Sequence, residues 1–303
     1  MNKIKKVAVL MGGTSSEREV SLRSGAAVVE ALGQIPEISV VPVVLDEDNL
    51  KSLPKGINAA FIALHGGYGE NGGVQADLDQ LRIPYTGPGS KASRVAMDKA
   101  ETKKLLEAAG VRTAPWELLS RKDSRTSLAL PVVVKPPADG SSVGISKVCS
   151  DEEWEEALNR ARDVDGDGNV LVESFIPGRE MTVSVLDDGA LPAIEIKAKN
   201  GWYGYTEKYT AGMTEYVFPD ETAEAKLLEE LRNIAERSFK VLGLRNVGRV
   251  DFRVTPDGVP YVLEVNTIPG CTATSLLPKA AAKAGMTFSE LCAKLLTKAK
   301  WGD

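Results

Sequence analysis

Histidine is all but missing: His65 is the one imidazole in 303 residues, so any scheme that needs two of them is excluded. Cysteine is scarce as well. Cys149, Cys271 and Cys292 are odd in number, widely spaced and without a Cys-x-x-Cys pair, which excludes a disulfide framework and a thiolate zinc site and fits a reducing compartment. There is no excess of positive charge; the net charge of −5 argues against nucleic acid, because phosphate binding needs a concentrated Lys/Arg surface. No apolar run is long enough to span a bilayer. The stretch Met1–Lys6 is basic like the start of a signal peptide, but the apolar run Val7–Met11 is short and Gly12-Gly13 interrupts it. These absences lead to the expectation of a cytoplasmic protein with neither nucleic acid nor membrane as partner.

What is present is the balance of a globular protein, 43% hydrophobic and 26% charged, in a chain long enough for two or three domains. The first hundred residues alternate strand and helix. Val7–Met11 reads as a buried strand, and Thr14-Ser15-Ser16-Glu17 fits a capping box opening a helix through Ala26, Val28 and Leu32. Strands Val40–Leu45 and Ala60–Leu64 follow between turn signals, giving a small doubly wound α/β unit with a parallel sheet. Pro84, Gly87, Pro88 and Gly89 cluster before the next helix and set a boundary near residue 95.

A second unit begins with the helix Met97–Ala109, stopped by Gly110. Strands Val132–Lys135, Ile145–Val148, Val170–Glu173 and Thr182–Leu186 follow, with a helix from Asp151 to Arg160 opened by the pair Ser150 and Glu153. Many strands and few helices predict an α+β module. The third unit holds strand Ala193–Lys197, a Gly/aromatic loop, a helix near Thr222–Leu242, a hairpin and a terminal helix. The expected domains are residues 1–95, 96–187 and 188–303.

The hairpin carries the most chemistry. Arg249–Val254 and Val259–Asn266 are β-rich runs around Asp257-Gly258. With Asp257-Gly258 as a two-residue turn, Asp251 faces Glu264 and Arg249 faces Asn266, all on one face of the sheet. Two carboxylates placed opposite each other repel, so something positive belongs between them, and oxygen donors of this kind suit magnesium. Two alternatives stay open: an ordinary solvated acidic face, or a turn at Pro256-Asp257 with Gly258 in a bulge, which shifts the register by one and separates the carboxylates.

The hairpin keeps distinctive company. Leu263-Glu264-Val265-Asn266-Thr267-Ile268-Pro269-Gly270 runs into Thr274-Ser275-Leu276-Leu277-Pro278, and Gly248-Arg249-Val250-Asp251 precedes it. These stretches resemble the C-terminal signature of the D-alanine–D-alanine ligases of the ATP-grasp superfamily. Gly12-Gly13-Thr14-Ser15-Ser16-Glu17-Arg18-Glu19-Val20-Ser21 is similar to that family's N-terminal signature. Between them, in order, fall Ala63-Leu64-His65-Gly66, Pro84-Tyr85-Thr86-Gly87, Met97-Asp98-Lys99, Lys135-Pro136 and Gly140-Ser141-Ser142-Val143-Gly144.

The resemblance implies an ATP-grasp fold of mixed α/β and α+β character. It has an N-terminal doubly wound parallel-sheet domain, a central lid domain and a C-terminal catalytic domain. It implies ATP and two Mg²⁺ or Mn²⁺ ions, D-alanine as substrate, an acyl-phosphate intermediate and a homodimer. Carried over by position, Lys99 and Lys135 would meet the phosphates, although either could be a solvated surface lysine. Glu173, Phe175 and Ile176 would lie along adenine, with Phe175 as plain core the bland alternative, and Glu180 would accept from the ribose hydroxyls. Gly140, Ser141 and Ser142 would open a loop closing over the phosphates, or a simple hairpin loop.

Asp251, Glu264 and Asn266 would hold the metals. Arg249 and the backbone N–H near Gly270 would steady an oxyanion. Glu17, with His65 nearby, would take the first substrate's ammonium, and Ser275 and Leu276 the second substrate's carboxylate at a helix N-terminus. Ser141 and Tyr209 would join Glu17 in a hydrogen-bonded triad, and Lys208 would reach the γ-phosphate. Residues 201–212, with four aromatics, look like a lid. In the family a Tyr at the position of Tyr209 accompanies dipeptide synthesis and a Phe accompanies acceptance of D-lactate, so a D-lactate or other ATP-grasp carboxylate–amine ligase is the alternative.

Pro137-Ala138-Asp139, Gly204, Glu207 and Cys271 depart from the family pattern. Gly67-Tyr68-Gly69-Glu70-Asn71-Gly72 fits Gly-x-Gly-x-x-Gly but follows a later strand, and no Gly-Lys-Ser/Thr phosphate loop exists. NAD binding is rejected.

Overall fold

The fold is described from a computed structural model for residues 6–140, 143–199, 204, 210, 212–272 and 274–303. Lys6–Gly12 (β1) is buried from Val7 onward, and such continuous apolar runs belong to parallel sheets covered on both faces. It lies between Ser39–Leu45 after it in sequence (β2) and Ala59–Ile62 (β3), parallel to both, in the order β2-β1-β3. Arg18–Gly33 (α1) makes the crossover and buries Val28, Ala31 and Leu32. The expected capping box does not form. Glu17 is the N-cap but makes no capping hydrogen bond; Thr14, the capping residue of the expected box, donates its Oγ1 to Asp48 Oδ1 at 2.8 Å, and Ser15 Oγ donates to His65 O at 2.5 Å. Glu17 is thereby left to face the cleft described below.

Short helices Gly67–Glu70 (α2), Gly73–Gln80 (α3) and Ser90–Met97 (α4) lead to Lys99–Ala108 (α5). Asp98 caps α5 by accepting from the N–H groups of Ala100 and Glu101, which fixes where Lys99 begins the helix. The central unit is an antiparallel sheet of Trp116–Leu119 (β4), Val132–Lys135 (β5), Ser146–Val148 (β6) and Val170–Ser174 (β7), in the order β4-β7-β5-β6. Trp154–Val164 (α6) covers it with Trp154, Ala157, Leu158 and Ala161, and the Ser150–Glu153 capping box at its entry is present.

The third sheet holds Arg179–Leu186 (β8), Gly189–Ala190 (β9), Ile194–Ala198 (β10), Thr214–Val217 (β11), Val247–Val254 (β12) and Pro260–Asn266 (β13), in the order β11-β10-β8-β12-β13 with β9 on β8. The strand expected at Thr182–Leu186 thus pairs with β10 and β12, outside the sheet of the central unit. Sequence neighbours β7 and β8 part company at Pro177-Gly178. Ala225–Val241 (α7) packs on this sheet through Leu228, Leu231, Ala235 and Phe239. The expected terminal helix is two helices, Leu276–Lys283 (α8) and Phe288–Thr297 (α9), broken at Gly285. Both share a core with β1, β3 and α1, so the first and third units are welded together. Truncating one such buried side chain, for example Leu277→Ala, costs about 2–5 kcal/mol.

The hairpin reaches its expected register by an unexpected route. Gly258 N–H donates to Thr255 O and Gly258 takes φ 84, so the turn is the one at Pro256-Asp257. Near it, Val254 pairs with Pro260 and Phe252 with Val262. A bulge between Asp251 and Phe252 then leaves Leu263 as an extra residue, and beyond it Asp251 faces Glu264 and Arg249 faces Asn266. The turn shifts the register by one and the bulge shifts it back.

Candidate active site

A cleft of about 910 Å³ opens where the three units meet. Glu17, His65, Lys99, Gly140, Arg249, Glu264, Asn266, Gly270, Ser275 and Leu276 all line it, drawn from stretches more than two hundred residues apart. On the N-terminal wall, the Glu17 carboxylate lies against two glycines. A Cβ on Gly66 would sit 2.9 Å from Glu17 Oε2, and one on Gly140 3.6 Å from the same oxygen. Gly66 also has φ 66, so any side chain here would be strained and would push Glu17 aside. His65 is buried, its Nε2 2.9 Å from Ser24 Oγ and its Nδ1 3.6 Å from Glu70 Oε1. Ser24 in turn accepts from the Cys271 N–H at 3.4 Å, tying the histidine to the loop that follows Gly270.

The hairpin forms the floor. Asp251 accepts from Arg249 Nε at 2.8 Å and Nη2 at 2.7 Å, from Asn266 Nδ2 at 2.9 Å and from Thr182 Oγ1 at 2.5 Å. Thr182, directly opposite Asp251 on β8, had no motif to announce it. Glu264 lies 3.6 Å from Lys99 Nζ, which also donates to Asp139 O at 2.6 Å. The positive charge that facing carboxylates demand is therefore supplied here by Arg249 and Lys99. Among the described residues no three His, Cys, Asp or Glu side chains converge on a metal position. The three hard oxygen donors of this floor, two carboxylates and the Asn266 amide oxygen, are nevertheless the set that suits magnesium or manganese.

Lys135 and Glu173 stand behind the cleft as a sealed cluster. Glu173 is 2% exposed and pairs with Lys135 and with Lys103, which also donates to Thr113 Oγ1. Burial pulls the Lys103 ammonium below its usual value, with Glu173 opposing. Burial alone would raise the Glu173 carboxyl, but the two lysines hold it below the ordinary carboxylate range. Lys103 was not anticipated, though its place one turn after Lys99 on the same helix was a usable signal.

Phe175 is not plain core. Lys147 Nζ lies 3.8 Å from its ring centre and the Arg253 guanidinium 5.4 Å. Arg253 also donates to Ile176 O at 3.0 Å and reaches Glu180 Oε2 at 3.4 Å. Ser275 caps α8 without a side-chain bond to its N–H groups, and its Oγ lies 2.8 Å from Thr272 Oγ1. Ser141, Ser142, Lys208 and Tyr209 lie outside the described residues, whereas Thr210, Gly212 and Thr214 line the cleft.

Comparison with known proteins points to one family. The family model described as D-ala D-ala ligase C-terminus matches residues 105–297. A D-alanine–D-alanine ligase of Syntrophotalea carbinolica is 47% identical over 97% of this chain and 96% of its own length. One of Pelotomaculum thermopropionicum is 45% identical over 96% and 95%. The crystal structure of the D-alanine–D-alanine ligase of Bacillus anthracis complexed with ATP superposes with a TM-score of 0.86 at 34% identity, covering 97% of each chain.

Proposed function

The chain belongs to the D-alanine–D-alanine ligase family and has its ATP-grasp fold, and on that premise we propose that it joins two D-alanines into D-alanyl-D-alanine for peptidoglycan precursor synthesis, converting ATP to ADP and phosphate. The observation that carries this reading is the cleft itself. Its lining combines a carboxylate for an ammonium, Glu17, a hard-oxygen floor, Glu264 and Asn266, and the cations Lys99 and Arg249.

Amide formation from a carboxylate needs a leaving group, so phosphoryl transfer to the first D-alanine precedes attack by the amine of the second; positioning and charge neutralisation do most of this work. Glu17 holds the first ammonium beside His65. Lys99 and Lys135 face the phosphates, and Gly140, Ser141 and Ser142 would supply the phosphate loop. Glu173, Phe175 and Ile176 lie along adenine, and Glu180 accepts from the ribose hydroxyls. Arg249 and the backbone N–H near Gly270 receive the oxyanion, and the start of α8, at Ser275 and Leu276, receives the second carboxylate. On this reading Lys208 would meet the γ-phosphate, and Tyr209 and Ser141 would join Glu17 in a hydrogen-bonded triad. Asp251, Glu264 and Asn266 would hold two Mg²⁺ or Mn²⁺ ions, which when bound neutralise phosphate charge. The units 1–95, 96–187 and 188–303 act as N-terminal, central and catalytic parts, with β8 paired into the last.

Among the described residues no helix is long and apolar enough to cross a membrane, which is compatible with a cytoplasmic homodimer. Sedimentation at micromolar concentration tests the dimer, and a single species at 32.4 kDa would exclude it. The function is tested by ADP release with D-alanine, L-alanine or D-alanine plus D-lactate, followed by product analysis. D-alanine alone should support turnover and give the dipeptide. Mainly ester product with D-lactate supplied would turn the assignment to a depsipeptide ligase.

A further inference from the structure

We propose that Arg253 is a positioning residue for the nucleotide, setting ATP affinity by fixing Ile176–Glu180 onto the same strand that carries Asp251. This rests on the reading of Ile176 and Glu180 as the residues facing adenosine. Arg253 is 8% exposed and lies directly across from Glu180 in the β8–β12 pair. Its Nε donates to Ile176 O at 3.0 Å, its Nη2 to Gly178 O at 2.9 Å, and its Nη1 reaches Glu180 Oε2 at 3.4 Å. One planar fork thus holds two main-chain carbonyls and one carboxylate, which a lysine ammonium cannot reproduce. The segment it holds runs hard against β12. A Cβ on Gly178, where φ is 123, would lie 2.0 Å from Val254 O.

The consequence is a mechanical link. Asp251 and Arg253 are two residues apart on β12, so the residue holding the strap and the residue on the catalytic floor share one rigid strand. Arg253 also sits over the Phe175 ring, 5.4 Å from its centre, with Lys147 Nζ at 3.8 Å, and so helps to fix the ring's place at the head of the segment it holds. Glu180, oriented by Arg253, presents its carboxylate to the ribose hydroxyls, so removing the fork should loosen the nucleoside end of ATP and leave the D-alanine subsites alone.

The experiment uses Arg253→Lys, because Arg253→Ala strips two carbonyls at once and risks unfolding, together with Glu180→Gln and the double variant. KM for ATP should rise roughly tenfold in Arg253→Lys, while kcat and KM for D-alanine stay within about twofold. The preference for ATP over 2′,3′-dideoxy-ATP should shrink in both single variants, and the double variant should show no further loss of that preference. A merely structural role would not change a preference that depends on ribose hydroxyls. If Glu180→Gln loses the preference and Arg253→Lys keeps it, Arg253 does not act through Glu180 and the proposal is overturned. If Glu180→Gln itself keeps the preference, the reading of Glu180 falls and the proposal falls with it.

Discussion

Two carboxylate clusters lie on either side of the cleft wall, and they use the same chemistry to opposite ends. Glu173 sits between Lys103 and Lys135 with side chains 1–7% exposed, inside the central sheet and its neighbouring helix. On the hairpin, Asp251 and Arg249 are 11% and 15% exposed and Glu264 is 26% exposed, with Lys99 beside it. In the sealed cluster each charge already meets its partner almost out of solvent, so a nucleotide that reaches Lys135 or Glu173 has to share them with that ion pair. In the open one Glu264, Lys99 and Arg249 line the cleft, so the protein cations can be shared with incoming phosphate. The more deeply an ion pair is buried, the more of its effect falls on stability, whatever else it does in the site.

The sharpest way to separate the two is to neutralise one carboxylate in each. Glu264→Gln should lower kcat by about a thousandfold, several kcal/mol of lost charge stabilisation, and leave the melting curve unchanged. Unchanged turnover would remove Glu264 from the mechanism. Glu173→Gln should act on stability as well and cost about 3–5 kcal/mol, because two buried ammoniums lose their counter-charge. Denaturant unfolding measures it. Its pH dependence follows from the sign of the shift. A carboxyl held low in the folded chain stabilises at pH above its unfolded titration, and that share is lost as pH falls through the lowered folded value. Parent and variant should therefore converge in acid, and a constant gap would contradict the ion-pair account.

A gentler perturbation is Lys103→Met, which leaves Glu173 paired with Lys135. It should cost about 1–3 kcal/mol, chiefly for the Thr113 and Glu173 acceptors left short of a donor. A loss equal to that of Glu173→Gln would mean that Lys135 contributes nothing to the cluster. The smallest effect concerns thiols. Burial pushes Cys271 up to about 12 and raises Cys292 as well, whereas Cys149 is exposed. A thiol reagent at pH 8 should label Cys149 alone in the native protein, and rapid labelling of Cys271 would show that the loop after Gly270 opens.

The same contrast governs what could be read from the chain. The open cluster was legible, because Asp251, Glu264 and Asn266 stand in a two-residue rhythm around a turn and period 2 places them on one face. The register was right although the turn was not, since a bulge at Leu263 is invisible to a count of residues. The sealed cluster was half legible. Lys135 and Glu173 were expected at phosphate and adenine, but their pairing with each other and with Lys103 depends on α5, packed on the third sheet, reaching across to the central one. Thr182 and Arg253 escaped notice for a related reason, as both act across the β8–β12 pair, and β8 was expected in another sheet. The capping box at Thr14–Glu17 failed because the helix starts only at Arg18, with Glu17 as its N-cap turned to the cleft and Thr14 Oγ1 bonded to Asp48. Local rules lose where a residue is needed by a site assembled from distant segments.

The central claim is that the carboxylate of the first D-alanine is phosphorylated before the peptide bond forms. In that sequence a carboxylate oxygen bonds phosphorus, and the attack of the second amine breaks the carbon–oxygen bond, so phosphate leaves with that oxygen. D-Alanine labelled with ¹⁸O in its carboxylate should therefore yield phosphate carrying one labelled oxygen per dipeptide made, read by mass spectrometry. Unlabelled phosphate released in step with dipeptide would contradict the acyl-phosphate route.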